Sequence, residues 1–332
     1  MTTSTATRAD TSTATHRGGA GPRVLLGAIL GIPTVIALML LAFAAPALSS
    51  GAKDLPLAVS GPAPAVAQLT GMLGKASPGT FDVATYPTAQ EAATAIRERE
   101  AIGGLSVAPT GVTVQTAAGA GAPYSALLKG IGAQLAAKGQ QVTYSELAPM
   151  PQDDPAGAAL MTLGLPLIFG GMASAAALVL AYRGSAAGRL GGVLAISALG
   201  GLVATAILQH GFGVLDGSYW LTSAAVAAGI AAISATVVGL GSLLGVAGIG
   251  IGAVLMLFVA NPLSGLATGP AWLPQPWGQI GQYLPVGAAA TAVRSAAYFD
   301  GAGATRAWVV LAAWIVVGVL LALIPRRRPT AA

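Results

Sequence analysis

Few residues in this sequence have the types and spacing that chemistry at a site requires. The 332 residues include no cysteine and only two histidines, His16 and His210, which lie far apart, so we expect no metal site. The adjacent carboxylates of Asp153 and Asp154 are only weak evidence for a cation site, because no further ligand accompanies them. The long apolar stretches contain no ionisable residue, which argues against an intramembrane enzyme or a proton-coupled carrier. We therefore predict no catalytic residue.

Two further patterns suggest chemistry and are better explained otherwise. The stretch GMLGKAS begins at Gly71, but a phosphate-binding loop needs a glycine five residues before Gly74, where this sequence has Leu69. We therefore predict no ATP site and no cofactor in this chain. The charge run REREA, residues 97–101, predicts a solvated helix end, as such runs usually do.

Arg294 stands in the stretch AVRSAAYFD, just before the chain enters its last apolar segment. An arginine beside apolar helices is costly unless it reaches water, lipid headgroups or an acid, and the nearest acid in sequence is Asp300. One interpretation is an anchor that extends to the outer headgroups. The other is a functional polar group of an element at the outer membrane face.

The elements that position these residues are membrane helices. Hydrophobic residues make up 55% of the chain and charged residues 8%, whereas a soluble domain has about 25% charged residues. Uncharged stretches near or above the length of about 20 residues that crosses a bilayer occupy 24–48, 160–182, 190–209, 221–263 and 308–325. The fourth stretch has 43 residues, and its glycine-rich centre, 239–250, predicts a tight hairpin between two helices. The sequence thus predicts six transmembrane helices.

The arginines orient these spans. With the N-terminus inside, eight arginines face the cytoplasm, opposed only by Asp10, whereas eight basic and ten acidic residues lie outside. Both termini are then cytoplasmic, as are Arg183 and Arg189 in the short loop between the second and third spans. Residues 1–22 are expected to be a disordered cytoplasmic N-terminus, and 326–332 form a basic cytoplasmic tail.

The first span, residues 23–48, ends in APA, which is typical of a signal-peptidase site. Its apolar core is longer than the 7 to 15 residues or so of a secretory signal, so we predict an uncleaved anchor. Residues 49–159 hold all four lysines and alternate strand-like with helical runs, which predicts an extracytoplasmic α/β domain inserted between the first two spans.

Glycines at four-residue spacing occur around the predicted hairpin. Small residues at this spacing allow two membrane helices to approach closely, although glycine is also ordinary filler in such helices. The candidates for helix packing are Gly241, Gly245, Gly248 and Gly252.

The segment between the last two spans, residues 262–305, is too polar to cross the bilayer and too apolar for an ordinary loop, so we expect a re-entrant outer segment. Together with NPLSG at 261–265, its stretches LPQPW, LPVGA and RSAAYFDGAG resemble the permease subunits of ABC-2-type exporters. EAATAIREREAIGGLSV and LAPMPQDDPAG are similar to the branch with a large extracytoplasmic domain between spans one and two, which includes phage-infection-protein-like membrane proteins.

The resemblance implies a plasma-membrane permease in which two subunits, as a homodimer or heterodimer, enclose a path and a separate cytoplasmic ABC ATPase supplies energy. It implies that Arg183 and Arg189 contact this partner. ABC-2 subunits usually have a coupling helix in that loop and an amphipathic helix before the first span, whereas this chain has seven residues and a polar tail, which puts the ATPase in doubt. The implied outer gate comprises Asn261, Pro262, Ser264, Gly265, Pro285, Gly287 and Arg294.

Two functions therefore remain open. One is a permease subunit for an unknown, lipid-like or amphipathic substrate, in contact with membrane lipids and without nucleic acid as a partner. The other is a membrane-anchored binding or scaffold protein whose extracytoplasmic domain does the work without transport. In neither case is the chain an enzyme.

Overall fold

The structure, a computed structural model, describes residues 22–324; the predicted disordered N-terminus up to residue 21 and the basic tail 326–332 lie outside them. π-helical turns at Ile207–Gly211 and Leu255–Ala260 follow the helices Ala186–Ala206 and Val246–Val254. In chain order the elements are α1 (Pro22–Leu48), β1 (Leu55–Ser60), α2 (Ala63–Ala76), β2 (Phe81–Tyr86), α3 (Ala89–Arg97), β3 (Gly103–Ala108), β4 (Gly111–Thr116), α4 (Ala122–Ala137), β5 (Val142–Glu146), α5 (Ala158–Leu180), α6 (Ala186–Ala206), α7 (Tyr219–Leu244), α8 (Val246–Val254), α9 (Trp277–Gly281), α10 (Pro285–Tyr298) and α11 (Thr305–Leu323).

Five helices in the described part of the chain are long and apolar enough to cross a membrane, namely α1, α5, α6 with its π-helical turn, α7 and α11. They occupy the predicted first, second, third, fourth and sixth spans. This is the architecture of a polytopic helical membrane protein, as the composition predicts.

The predicted fifth span is shorter than expected. α7 continues to Leu244 and ends at Gly245, whose φ of +67° is a left-handed conformation that glycine adopts without strain. Only the 15 residues of α8 and its π-helical turn remain before the chain turns away, which gives a length of about 22 Å. The hairpin thus lies near the middle of the predicted glycine-rich stretch, but the two helices that it joins are unequal.

Among the described residues, α1 up to Leu41 belongs to one unit, and residues 42–324 belong to a second. Within α1 the hydroxyl of Thr34 donates to the carbonyl of Leu30 (2.7 Å). A hydroxyl that is satisfied by its own helix costs little in an apolar environment. The polar residue is therefore compatible with a helix of this hydropathy.

The α/β region, Leu55–Glu146, contains one five-stranded sheet in the order β2-β1-β3-β4-β5. β1 is parallel to β2 and β3, β3 and β4 are antiparallel, and β4 is parallel to β5. These strands, with α2, α3 and α4, give the alternation of strand-like and helical runs that the sequence of residues 49–159 predicts. The mixed sheet follows from the short β3–β4 connection, because a tight turn can join only antiparallel neighbours.

Helices cover both faces of this sheet. α2 and α4 pack on one face, where Leu57, Leu105 and Leu128 are fully buried, and α3 packs on the other through Ala92 and Ile96. The hydroxyl of Thr88 accepts from the backbone N–H of Glu91 (3.1 Å) and so caps α3.

The bundle of apolar helices is arranged around α7, whose middle is buried by α5, α6, α10 and α11. Small residues bring the backbones together, since Gly239 lies against Gly318 of α11. The hydroxyls of Ser174 on α5 and Ser234 on α7 share a hydrogen bond of 2.9 Å. In lipid, where tails are as apolar as the protein, such packing and hydrogen bonding hold helices together.

The start of α5 is fixed by Asp154, which is buried. Its two carboxylate oxygens accept from the backbone N–H groups of Ala158 and Ala159, both at 2.7 Å. A carboxylate at this position satisfies two free donors of the helix and complements the positive end of its dipole. Asp154 therefore acts as a helix cap, and not as half of the cation site considered from the sequence.

We predict that Gly248→Leu destabilises the protein. A side chain at Gly248 would collide with the backbone of Leu240 and Gly241 across the hairpin, and overpacking of this kind costs about 1–3 kcal/mol. The measurement is the thermal unfolding temperature and folded yield in detergent. The matched control is Gly250→Leu in the same helix, where a Cβ meets nothing within 4 Å. Equal stability of the two variants would show that Gly248 is not needed for packing.

Candidate functional site

The predicted re-entrant segment contains a helix, α10, that begins inside the bundle. The indole N–H of Trp314, about 14 Å along α11, donates to the carbonyl of Tyr283 (2.8 Å) just before α10. Ala289 of α10 lies against Gly229, about 15 Å along α7. From there α10 runs to Tyr298, which packs against Gly119 of the α/β region.

Arg294 lies on the buried face of α10 and is only 2% exposed. Its Nη2 donates to the carbonyl of Leu266 (2.7 Å), and both Nη atoms lie 3.4 Å from the carbonyl of Gly265. Among residues 22–324 its Nε finds no hydrogen-bond partner. This burial contradicts the anchor interpretation, because the guanidinium is enclosed by protein and does not extend to headgroups.

The turn that receives Arg294 depends on Gly265, which has a φ of +67° and packs against Pro270. A side chain there would strain the backbone and collide with the proline. The turn can therefore aim two carbonyl oxygens at one guanidinium group.

A second set of hydrogen bonds ties the turn to α10. Gln282, which is buried, donates from Nε2 to the carbonyl of Ser264 (3.1 Å) and accepts at Oε1 from the hydroxyl of Thr291 (2.6 Å). Ser264 in turn donates its hydroxyl to the carbonyl of Asn261 (2.7 Å). The chain from residue 261 to residue 294 is thus linked by polar contacts within an apolar bundle.

Arg99 of the α/β region also reaches α10. Its Nη1 donates to the carbonyl of Thr291 (3.1 Å), and its guanidinium carbon lies 5.4 Å from the centre of the Phe299 ring. Burial lowers the pKa of Arg99 to about 10, and the positive charge of Arg294 contributes in the same direction. Arg99 therefore keeps its charge at neutral pH. The interpretation of residues 97–101 as a solvated helix end is wrong for Arg99, although Arg97 and Glu100 are exposed.

Arg99 was missed because its signal in the sequence is ambiguous. It stands in a run of charges, and its partner Thr291 is 192 residues away. One local feature distinguishes it, a φ of +63°, which is uncommon for a residue other than glycine and requires support from the surrounding structure.

Tyr124 forms a third contact between the α/β region and the re-entrant segment. Its hydroxyl accepts from the backbone N–H of Trp272 (3.0 Å), and the two rings meet edge to face with centres 5.8 Å apart. Burial raises the pKa of Tyr124 to about 12, and the charge of Arg294 acts in the opposite direction. The hydroxyl therefore stays neutral at physiological pH.

These contacts define a site that we call the arginine junction: Arg99, Tyr124, Gly265, Gln282, Thr291 and Arg294. The junction has two guanidinium groups whose hydrogen bonds go to backbone carbonyls. Such an arrangement has no nucleophile activated by a base. It can hold two parts of the protein in one arrangement and release them if the carbonyls move.

The structure brings together only some of the predicted gate residues. Gly265 and Arg294 lie in the arginine junction; Ser264 is linked to it through Gln282, and Asn261 through Ser264. The chain turns at Asn261 and Pro262 after α8 and its π-helical turn. Pro285 and Gly287 start α10 at its opposite end, where Gly287 lies against the backbone of Gly281.

The other predicted site residues lie elsewhere. Arg183 is exposed in the connection between α5 and α6. Arg189 is in the first turn of α6 and not in a loop, and its Nη2 lies 3.4 Å from the carbonyl of Tyr182. Ser185 caps α6 by accepting from the N–H of Gly188 (3.1 Å).

The packing candidates have two different roles. Gly245 forms the turn between α7 and α8, whereas Gly241 and Gly252 lie at close contacts with Val179 and Val237. The stretch GMLGKA, considered as a phosphate loop, is the second half of helix α2.

Comparison of the chain with protein-family models, with curated proteins and with solved structures found no match. The resemblance to ABC-2-type permeases therefore stays a prediction from the sequence motifs.

We predict that Arg99→Ala loosens α10. Loss of the bond to Thr291 and of the contact with Phe299 removes a charge-assisted interaction of about 1.5–3 kcal/mol, so hydrogen exchange in residues 286–298 should accelerate. The matched control is Arg97→Ala, which removes an exposed arginine of the same run. Unchanged exchange in α10 of the Arg99 variant would contradict a stabilising role for this contact.

Proposed function

We propose that the protein is the membrane-spanning permease subunit of an ABC-2-type export system in the plasma membrane. The observation that carries this proposal is α10, which starts part way along α7 and α11 and places the buried Arg294 against the turn at Gly265. A short helix that enters a bundle and returns to the same side is typical of transporters and is unnecessary in a simple anchor.

We further propose six crossings with both termini in the cytoplasm. α5, α7 and α11 begin near the α/β region, since Asp153 lies beside Gly213, Gly217 packs on α10, and Gly303 packs on Arg99. The chain from Asn261 to Thr305 returns to this end, because Trp272 contacts Tyr124. α8 with its π-helical turn must then cross from the opposite end. Its length of about 22 Å requires local thinning of the bilayer or burial of its ends.

In this proposal the arginine junction is the outer gate. Opening would move α10 away from the turn at Gly265, which would break the bonds from Arg294 to the two carbonyls. Arg99 holds the same helix from the α/β region, so the gate and that region would move together. The energy would come from a separate cytoplasmic ATPase, with two permease subunits around the path and with Arg183 on the surface that faces the ATPase.

A second candidate function is a membrane-anchored binding protein whose α/β region holds a ligand and which does not transport. The observation that favours it is a groove of about 320 Å³ between α2 and α4, near the lower end of the range for small-molecule sites. A vanadate-sensitive ATPase that co-purifies with the chain from native membranes would favour the permease. Isolation of the chain alone, without ATP hydrolysis, would favour the binding protein.

We predict an even number of crossings. The chain has no cysteine, so single cysteines can be introduced at Gln140 and Ala187, both exposed, and at Ala331 in the tail. In intact cells an impermeant maleimide should react at Gln140 and not at Ala187 or Ala331, while all three should react after permeabilisation. Reaction at Ala331 together with protection at Ala187 would show an odd number of crossings and refute the topology.

We predict that Arg294→Gln assembles but impairs the gate. The substitution removes a buried charge and keeps a hydrogen-bond donor, so folded yield should be close to that of the wild type, whereas partner-stimulated ATP hydrolysis should fall about tenfold or more, the effect of losing about 1.4 kcal/mol of coupling. Arg97→Gln is the control. Normal folding with wild-type turnover would show that Arg294 is structural only.

A further inference from the structure

Two positive charges meet α10 within one helical turn. Arg99 donates from Nη1 to the carbonyl of Thr291, and Arg294 follows three residues later on the same helix. Residues three apart are neighbours on a helix surface. Burial, and after it the positive charge of Arg294, lowers the pKa of Arg99, so each guanidinium group lies within range of the other's charge. Like charges repel strongly where protein replaces water, so this pair needs compensation.

No carboxylate supplies this compensation within residues 22–324. Every acceptor of the two guanidinium groups there is a backbone carbonyl. The buried carboxylate of Asp154 is occupied by the N–H groups at the start of α5. Carbonyl dipoles offset part of the cost of a buried cation, whereas a buried charge is usually paired with one of opposite sign. The acids nearest in sequence are all exposed, namely Glu98, Glu100 and Asp300.

Both arginines also keep hydrogen-bond donors that the described part of the chain does not use. The Nε of Arg294 is buried there without a partner. Arg99 hydrogen-bonds only through Nη1 and is partly exposed. A guanidinium group has five N–H donors, and a buried donor without an acceptor is costly. The unused donors and the positive charges therefore call for the same partner, an acceptor that carries negative charge.

We propose that the arginine junction binds one small monovalent anion, such as chloride, between Arg99 and Arg294. A carboxylate or phosphate group prefers two parallel donors of one guanidinium group. Both Nη atoms of Arg294 are directed at carbonyls, which leaves Nε alone. A monatomic anion can accept from single donors of two groups. It would enter beside Arg99, which is partly exposed, because Arg294 is enclosed.

The bound anion would fasten α10 to the α/β region, because Arg294 belongs to the helix and Arg99 to that region. A ligand that binds only the closed arrangement stabilises it by mass action. The site shares residues with the proposed outer gate but does not rest on export, since an anion can hold the two arginines together with or without transport.

The test measures hydrogen exchange of the full chain in detergent at neutral pH. Chloride replaces gluconate, a much larger anion, stepwise at constant ionic strength. Exchange in residues 286–298 should slow as a saturable function of chloride, by about tenfold where chloride is at ten times its dissociation constant. Inorganic phosphate at the same ionic strength should protect less than chloride. Equal exchange in chloride and gluconate would overturn the proposal, and stronger protection by phosphate would overturn the small anion.

Variants locate the anion. Arg99→Gln and Arg294→Gln each remove one of the two charges, so the effect of chloride on exchange should be lost, whereas Arg99→Lys keeps the charge and should retain part of it. The matched control is Arg97→Gln, which removes an exposed arginine and should respond to chloride as the wild type does. If the full effect persists in Arg99→Gln and Arg294→Gln, chloride acts elsewhere and the proposal is wrong.

The anion site and the export function fail in different experiments. Absence of a co-purifying ATPase would count against export and would leave the effect of chloride on α10 unchanged. Exchange that does not depend on chloride would remove the anion site and would leave the ATPase result unchanged.

Discussion

The burial of Arg294 is the constraint on which the end of the bundle next to the α/β region depends. A guanidinium group enclosed by apolar helices needs compensating dipoles, and in this protein the carbonyls of Gly265 and Leu266 supply them. That arrangement requires a glycine in the left-handed conformation at 265 and a helix, α10, that runs toward the α/β region and brings Arg294 next to this turn. It also requires Gln282 and Thr291, because they hold the turn and the helix in register. The short helix α9 before α10 follows from the same need, since the chain must enter the bundle before it can return.

Close packing of small residues holds together the helices of the bundle that surround α10. In lipid the hydrophobic effect does not drive helices together, so backbone approach at Gly239 and Gly318 contributes the dispersion energy that large side chains would prevent. The same glycines would make the bundle weak in water. Gly245 uses glycine differently, because its left-handed conformation reverses the chain in a stretch with no polar residue to mark a turn.

Much of the fold follows from the sequence, because hydropathy and strand periodicity are local signals. The long spans and the alternation of strands with helices were predicted from residues close together in the chain. The arginine junction was harder to predict from the sequence, since its contacts join residues that are far apart in the chain. Asp300 is the nearest acid to Arg294 in sequence, yet the partners are carbonyls 28 and 29 residues earlier. Every residue has a backbone carbonyl, so the residue types in the sequence do not show which carbonyls bind Arg294. The short α8 was missed for a related reason: the length of an apolar stretch does not tell where a glycine turn divides it.

The α/β region places its two notable features on opposite faces of one sheet. α3 leads to Arg99 and the arginine junction, whereas α2 and α4 border the groove. α4 belongs to both, since Tyr124 in its first turn contacts Trp272, and Ala126 and Gly130 in the following turns line the groove. A helix transmits displacement along its axis because its hydrogen bonds resist bending. An occupant that separates α4 from α2 would therefore act on the contact between Tyr124 and Trp272 and on the carbonyls that hold Arg294. If the groove holds a ligand, as in the binding-protein alternative, this coupling is reciprocal, and a change at the arginine junction alters the affinity for that ligand by the same factor.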